Sequence, residues 1–248
     1  MKSAILILVL LAAALSAGTI NIAVAANVSY VMEDLKKEFA KTNPETKVRV
    51  ILGGSGKLAA QIQNGAPYGL FMSANMTYPQ TLYRQKVAIT KPRIYAQGAL
   101  AYFSQKEQTF SKGMVLLKEN SIRKIAIGNP KTAPYGEAAV EAMKNAHVYA
   151  SVKRKLVYGE SIAQTLSYAV TAADIGIVAT SSLYSPSLSA YQEHKHWECV
   201  NAALYTPIDQ GIVLLKRGQN NSEYLAFYKF ILSARAKVIF KRYGYNVT

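Results

Sequence analysis

Residues 47 to 65, KVRVILGGSGKLAAQIQNG, constrain the fold more than any other stretch of the chain. Val48, Val50 and Leu52 alternate with more polar neighbours as a strand does. Gly53, Gly54, Ser55 and Gly56 break the run, and from Lys57 onward Leu58 and Ile62 return at helical spacing. The pattern predicts a strand, a glycine turn and a helix N-terminus. A helix start leaves backbone N–H groups unpaired and carries partial positive charge. An anion resting there is stabilised, with Ser55 as a side-chain donor and glycines that permit close approach. The motif lacks both the GKS/GKT ending of a nucleotide-triphosphate loop and the spacing of a dinucleotide fingerprint. Taken alone it reads as an anion-holding turn or as a tight turn between strand and helix.

The same unit recurs along the chain. Thr19 to Ala25 alternates as a short strand and turns at Ala26 to Ser29 into a helix with Val31, Leu35 and Phe39 on one face, ended near Pro44. Asn27 sits at that junction as Ser55 does at its own, with helix N-capping as its ordinary role. Gly69 to Ala74 is a third short strand, followed by a helix with Tyr78, Leu82 and Tyr83 as packing residues. A longer β-prone run at residues 91 to 104 contains Gly98. Beyond it a fresh series begins: the strand Ile125 to Gly128 before Pro134 and Tyr135, Lys155 to Tyr158 before Ser161 and Ile162, and Asp174 to Ala179. A β-rich stretch from Asn201 to Leu215, broken by Pro207 and Gly211, precedes two amphipathic helices starting at Ser222 and Ala234. Alternating strands and helices mean α/β architecture with parallel sheets. Chain crossings around 95 to 103 and 203 to 213 divide it into two lobes, residues 18–96 with 205–248 and residues 97–204. They are joined by a two-strand hinge, with a ligand cleft between them touched by Asn27, Ser55, Tyr135, Ser161 and Ile162.

Composition limits the function. Met1 to Ala17 has Lys2, an apolar run and small residues at its end, the pattern of a secretory signal peptide cleaved near Ala17 or Gly18. The net charge of +15 suits anionic partners. Export and the scatter of lysines and arginines argue against nucleic acid. The single cysteine, Cys199, allows no intramolecular disulfide. His194, His196 and Glu198 in EHKHWEC include only one histidine pair spaced by two, so the segment reads as a polar loop beside a strand, with Trp197 and Cys199 inward and no resident metal. GGSGK is not a GxSxG nucleophile elbow, and no histidine precedes His147, which leaves no case for an enzyme.

Several segments together resemble the molybdate-binding proteins of bacterial ABC importers, in the type 2 periplasmic binding-protein fold. They are GGSGKLAAQIQNGAP at 53 to 67, FMSA at 71 to 74, IAIGNPKTAPYG at 125 to 136, GESIAQT at 159 to 165 and IGIVA at 175 to 179. The resemblance runs over essentially the whole mature chain. It implies a monomeric periplasmic protein without a cofactor, which holds molybdate or tungstate through neutral donors and delivers it to a membrane permease. A sulfate, chromate or phosphate carrier of the same fold is the alternative. Carried over, the anion contacts fall at Asn27, through side chain or backbone, at Ser55, at Tyr135 and at the turn Ser161/Ile162. Ala179 stands where one branch has a tyrosine, so Tyr135 supplies the ring here. Gly69 and Asn75 replace aspartates common in relatives, which makes the cleft rim less negative.

Overall fold

The computed structural model describes residues 18–247, and the expected signal peptide, residues 1 to 17, lies outside them. In chain order the elements are β1 (Thr19–Ala25), α1 (Ser29–Ala40), β2 (Lys47–Gly53), α2 (Ser55–Gln63), β3 (Leu70–Met72), α3 (Thr77–Arg84), β4 (Arg93–Gly98) and β5 (Leu100–Phe103). There follow β6 (Ile125–Gly128), α4 (Pro134–Asn145), α5 (Tyr149–Val152), β7 (Leu156–Gly159), α6 (Ile162–Thr171), β8 (Ile175–Ala179) and α7 (Thr180–Leu183). The chain closes with β9 (Trp197–Cys199), β10 (Ile208–Leu214), α8 (Ser222–Ile231) and α9 (Ala234–Arg242). No helix among the described residues is long and apolar enough to cross a membrane.

Two mixed sheets result, in the strand orders β2-β1-β3-β10-β4 and β7-β6-β8-β5-β9. The β-prone run at 91 to 104 is two strands, β4 in the first sheet and β5 in the second, parted at Ala99. The chain returns to the first sheet through β10, which runs antiparallel to β3 and β4 and carries a bulge at Gln210/Gly211. The tail then pairs Asn246 with Gln97 of β4, each main-chain N–H meeting the other's carbonyl. This arrangement is the two-lobed α/β architecture expected.

Each sheet is covered by helices whose apolar faces the periodicity marked. Val31, Leu35 and Phe39 of α1 are buried against Phe227 and Phe230 of α8 and Phe240 of α9. The rings of Phe39 and Phe227 meet edge to face with centroids 5.0 Å apart, a geometry that adds to the burial of two large side chains. Three expectations fail locally. Tyr83 is 37% exposed, because Leu82 and Pro79 take the buried side of α3. Cys199 is exposed at the end of the three-residue edge strand β9, which buries Trp197 but runs out of cover two residues later. Asn27 caps nothing: it lies inside a 3-10 turn, Ala26–Val28, and the N-cap of α1 is Val28, with no side-chain bond.

Phe227→Ala removes a fully buried ring whose neighbours are held by three other elements, so the cavity cannot collapse. The expected cost is about 3–5 kcal/mol in guanidinium denaturation of the mature protein, and a loss below about 1 kcal/mol contradicts this packing.

Candidate functional site

The parallel register decides where the helix starts lie. Ala25 of β1 pairs with Gly53 of β2, and Val24 with Met72 of β3, so these strands release the chain at one sheet edge. Asn27 and Ser55 therefore emerge side by side. In the second sheet Gly128 of β6 pairs with Gly159 of β7, which brings the starts of α4 and α6 to its corresponding edge.

The two edges face each other at contact distance. The Gly56 N–H, in the first turn of α2, donates to Thr132 O at 3.0 Å across the cleft. Gly54 lies so close to the loop before α6 that a Cβ there would stand 2.7 Å from the Glu160 carbonyl oxygen. Ser181 of α7 donates from Oγ to Asn27 O at 3.2 Å. Ala25, Ala26 and Ala74 from one side and Tyr135 and Ile162 from the other belong to one buried cluster. The five residues singled out from sequence thus converge on one interlobe region.

Their side chains have different roles. Both Nδ2 hydrogens of Asn27 are taken, by Gln210 Oε1 at 2.9 Å and Tyr245 Oη at 2.9 Å. This leaves the main-chain N–H in the opening turn as its donor toward the cleft. Ser55, 1% exposed, accepts from the Ala74 N–H at 2.9 Å and gives its own proton to no acceptor among the described residues. Ser161 is the N-cap of α6, its Oγ accepting from Gln164 N at 3.3 Å, and Ile162 opens that helix with an N–H that has no intrahelical acceptor. Tyr135 follows Pro134 in the first turn of α4, where proline fixes the backbone and removes one N–H. Its phenol oxygen accepts from Gln210 Nε2 at 3.0 Å and donates to none of the described residues.

Sequence reasoning missed the residues that hold this set. Gln210 Oε1 also accepts from Tyr95 Oη at 2.7 Å, and Tyr245 donates from Oη to Asn27 O at 2.9 Å. Gln210 is fully buried at the β10 bulge, which re-aims its side chain between the sheets. The signals were two glycines in β-rich runs. Gly211 marks the bulge, and at Gly98 any Cβ would collide with the Tyr135 hydroxyl and Gln210 Nε2. Burial, and after it the neighbouring phenols, pushes the Tyr135 and Tyr95 hydroxyls well above the usual tyrosine range, and burial does the same for Tyr245. All three therefore remain O–H donors at neutral pH. Among the described residues Asn27 Oδ1 and Thr132 Oγ1 are buried without partners.

Chemically the region offers helix-start N–H groups, two hydroxyl donors and no charged side chain among the five residues, a set suited to an anion. A surface groove of about 730 Å³, lined by Tyr102, Phe110, His194, Glu198 and Cys199, lies elsewhere on the second sheet's lobe. There His194 Nδ1 stands 2.6 Å from Glu198 Oε2, a bond that raises the histidine pKa. No group of three or more metal-ligating side chains occurs among the described residues.

Residues 20–246 match the family model of the bacterial extracellular solute-binding proteins. The chain is 35% identical over 240 residues to the molybdate-binding protein ModA of Azotobacter vinelandii, covering 96% of this chain and 94% of that one. It is 34% identical over 233 residues to ModA of Rhodobacter capsulatus, covering 93% and 89%. The solved structure of the Azotobacter vinelandii periplasmic molybdate-binding protein superposes with a TM-score of 0.84 at 29% identity, covering 92% of this chain and 99% of that one. A sulfate-binding protein, SubI from Mycobacterium tuberculosis, shares the fold at a TM-score of 0.74 and 11% identity, with coverage of 92% and 86%. The family binds solutes and is not catalytic. The chain belongs to the bacterial extracellular solute-binding protein family, with the two-lobed type 2 periplasmic binding-protein fold.

Proposed function

We propose that the protein captures molybdate or tungstate in the cleft between its lobes and delivers it, as an exported monomer freed of residues 1 to 17, to an ABC permease. Residues 18–96 and 205–248 act as one lobe and residues 97–204 as the other. The anion rests against the main-chain N–H groups of Asn27, Ser55, Tyr135 and Ile162 and the hydroxyls of Ser55 and Tyr135, with Ser161 shaping the last turn. The observation that carries this reading is the meeting of uncharged donors from both lobes, with Ser55 and Tyr135 each holding a proton that no acceptor among the described residues takes. Similarity to two molybdate-binding proteins over nearly the whole chain supports the choice of ligand. A fully deprotonated dianion satisfies donors without needing an acceptor. Molybdate and tungstate are larger than sulfate and phosphate, so the spacing of the donors across the cleft discriminates among them.

Molybdate at about 100 times its dissociation constant should raise the unfolding free energy by about 2.7 kcal/mol, visible as a higher melting temperature, while glycine, glutamate and sulfate leave it unchanged. A shift with sulfate and none with molybdate would assign the cleft to the smaller oxyanion. Ser55→Ala should weaken molybdate binding by about 1.5–3 kcal/mol in isothermal titration, because one donor to a desolvated dianion is lost. An unchanged dissociation constant contradicts the site.

Closure follows from the same geometry. Gly54→Ala places a methyl group against the Glu160 carbonyl only when the lobes meet. In small-angle scattering the parent should contract on adding molybdate and the variant should not, with binding weaker by about tenfold or more. Equal contraction in both rules out this contact as part of closure.

A further inference from the structure

Among the described residues Gln210 is the one side chain that hydrogen-bonds Asn27, Tyr95 and Tyr135 together, and the network around it sets the direction of each bond. Tyr245 donates its proton to Asn27 O, so its oxygen is an acceptor toward Asn27 and the group facing it is Nδ2. The other Nδ2 hydrogen then points at Gln210, whose facing atom must be Oε1. Tyr95 donates to that same oxygen at 2.7 Å, a shorter bond than the one its proton could make to Ser73 O at 3.3 Å. Nε2 is left for Tyr135, and a phenol oxygen that accepts from Nε2 keeps its own proton for something else. Reversing the Gln210 amide would aim Nε2 at the Asn27 amide group and at Tyr95, and would draw the Tyr135 proton inward.

We propose that Gln210 is a positioning residue that fixes the Tyr135 phenol as a donor toward the cleft and so selects fully deprotonated oxyanions over protonated ones. The inference rests on the oxyanion reading above. Gln210 belongs to β10 and Tyr135 to α4, so the bond also reaches from one sheet's lobe to the other's and sets the polarity of the second lobe's ring from the first. A ligand oxygen that meets this phenol must accept. A hydrogen phosphate presenting its O–H there meets donor against donor, whereas molybdate presents acceptors on every side. The buried glutamine rejects that protonation state without itself carrying charge.

Gln210→Glu tests the polarity directly, because the side chain is isosteric. When neutral, the carboxylic acid repeats the amide pattern, its C=O accepting from Asn27 and Tyr95 and its O–H donating to Tyr135. When ionised it can only accept, so it takes the Tyr135 proton and adds a negative charge beside the anion. Complete burial raises the pKa of such a carboxyl, which moves the change into the range where molybdate binding can be followed. Isothermal titration between about pH 5.5 and 8.5 should give flat affinity for the parent. The variant should lie near the parent at the acidic end and fall about 100-fold or more at the other.

A double-mutant cycle supplies the second arm. Gln210→Leu should weaken molybdate binding in the parent yet add little to Tyr135→Phe, because the proton it directs is already gone. A Gln210→Glu affinity lowered equally at every pH, or a Gln210→Leu cost that is the same with and without the Tyr135 hydroxyl, overturns the assignment and leaves Gln210 a packing residue. If Gln210→Leu does not fold by circular dichroism, the pH profile of the isosteric variant decides alone. A parent protein that takes up no oxyanion defeats the functional reading itself, an outcome separate from a binding parent with a pH-independent Gln210→Glu.

Discussion

The parallel pairing of β1 with β2, Ala25 against Gly53, is the constraint on which the site depends. A shift of the register by one residue would exchange the large Ile20, Ile22 and Val24 with the small Ala23 between two packed faces, and would separate the starts of two helical segments. Held in register, the strands present Asn27 and Ser55 together, and the pairing of Gly128 with Gly159 does the same for the opposing lobe. Four helical segments then begin around one small region. Their opening N–H groups have no intrahelical acceptors, so the fold itself builds a concentration of fixed donors without a lysine or arginine. Such donors cannot swing away or lose their protons. A dianion there would exchange its hydration shell for dipoles already in place.

A second layer keeps the donors aimed. Asn27, Tyr95, Tyr135, Gln210 and Tyr245 form a buried polar network drawn from the first helical turn, β4, α4, β10 and the C-terminal tail. Each of these groups would be costly to bury alone, and in the network nearly all of them are paired. The tail is part of this arrangement: Asn246 pairs with Gln97 of β4, which seats Tyr245 against Asn27. Tyr245 and Asn246 therefore shape the entrance to α1. Ser181 adds a further bond from the second lobe to the Asn27 carbonyl, and the Gly56 N–H another to Thr132.

Much of this was legible in the sequence because it is local. Strand, glycine turn and helix follow one another within about 20 residues, and the periodicity shifts where the structure shifts, so the units around Ser55, Tyr135 and Ile162 could be read directly. The run at 91 to 104 read as one long β-stretch crossing between the lobes, and the structure divides it at Ala99 into two strands of different sheets. What stayed hidden is the partnership of residues far apart in the chain. Gln210 and Asn27 are 183 positions apart, and Tyr245 and Asn27 are 218 apart, and no periodicity encodes such pairs. Asn27 looked like a helix cap because asparagine at a strand-to-helix junction usually is one, and the tertiary network claimed its side chain instead. Cys199 was misread inward for a related reason. Alternation gives the face of a strand but not where its cover ends, and β9 lies at a sheet edge.

The central claim is that neutral donors from both lobes converge on one oxyanion, with the Tyr135 phenol among them. A crystal structure of the protein with molybdate, the metal located by its anomalous scattering, tests it most directly. The account predicts an anion between the starts of α2, α4 and α6, with Ser55 Oγ and Tyr135 Oη each within about 3.2 Å of an anion oxygen and the Gln210 Nε2 bond to Tyr135 retained. A molybdate bound elsewhere, or a Tyr135 hydroxyl turned toward Gln210 and well beyond that distance from the anion, would contradict it.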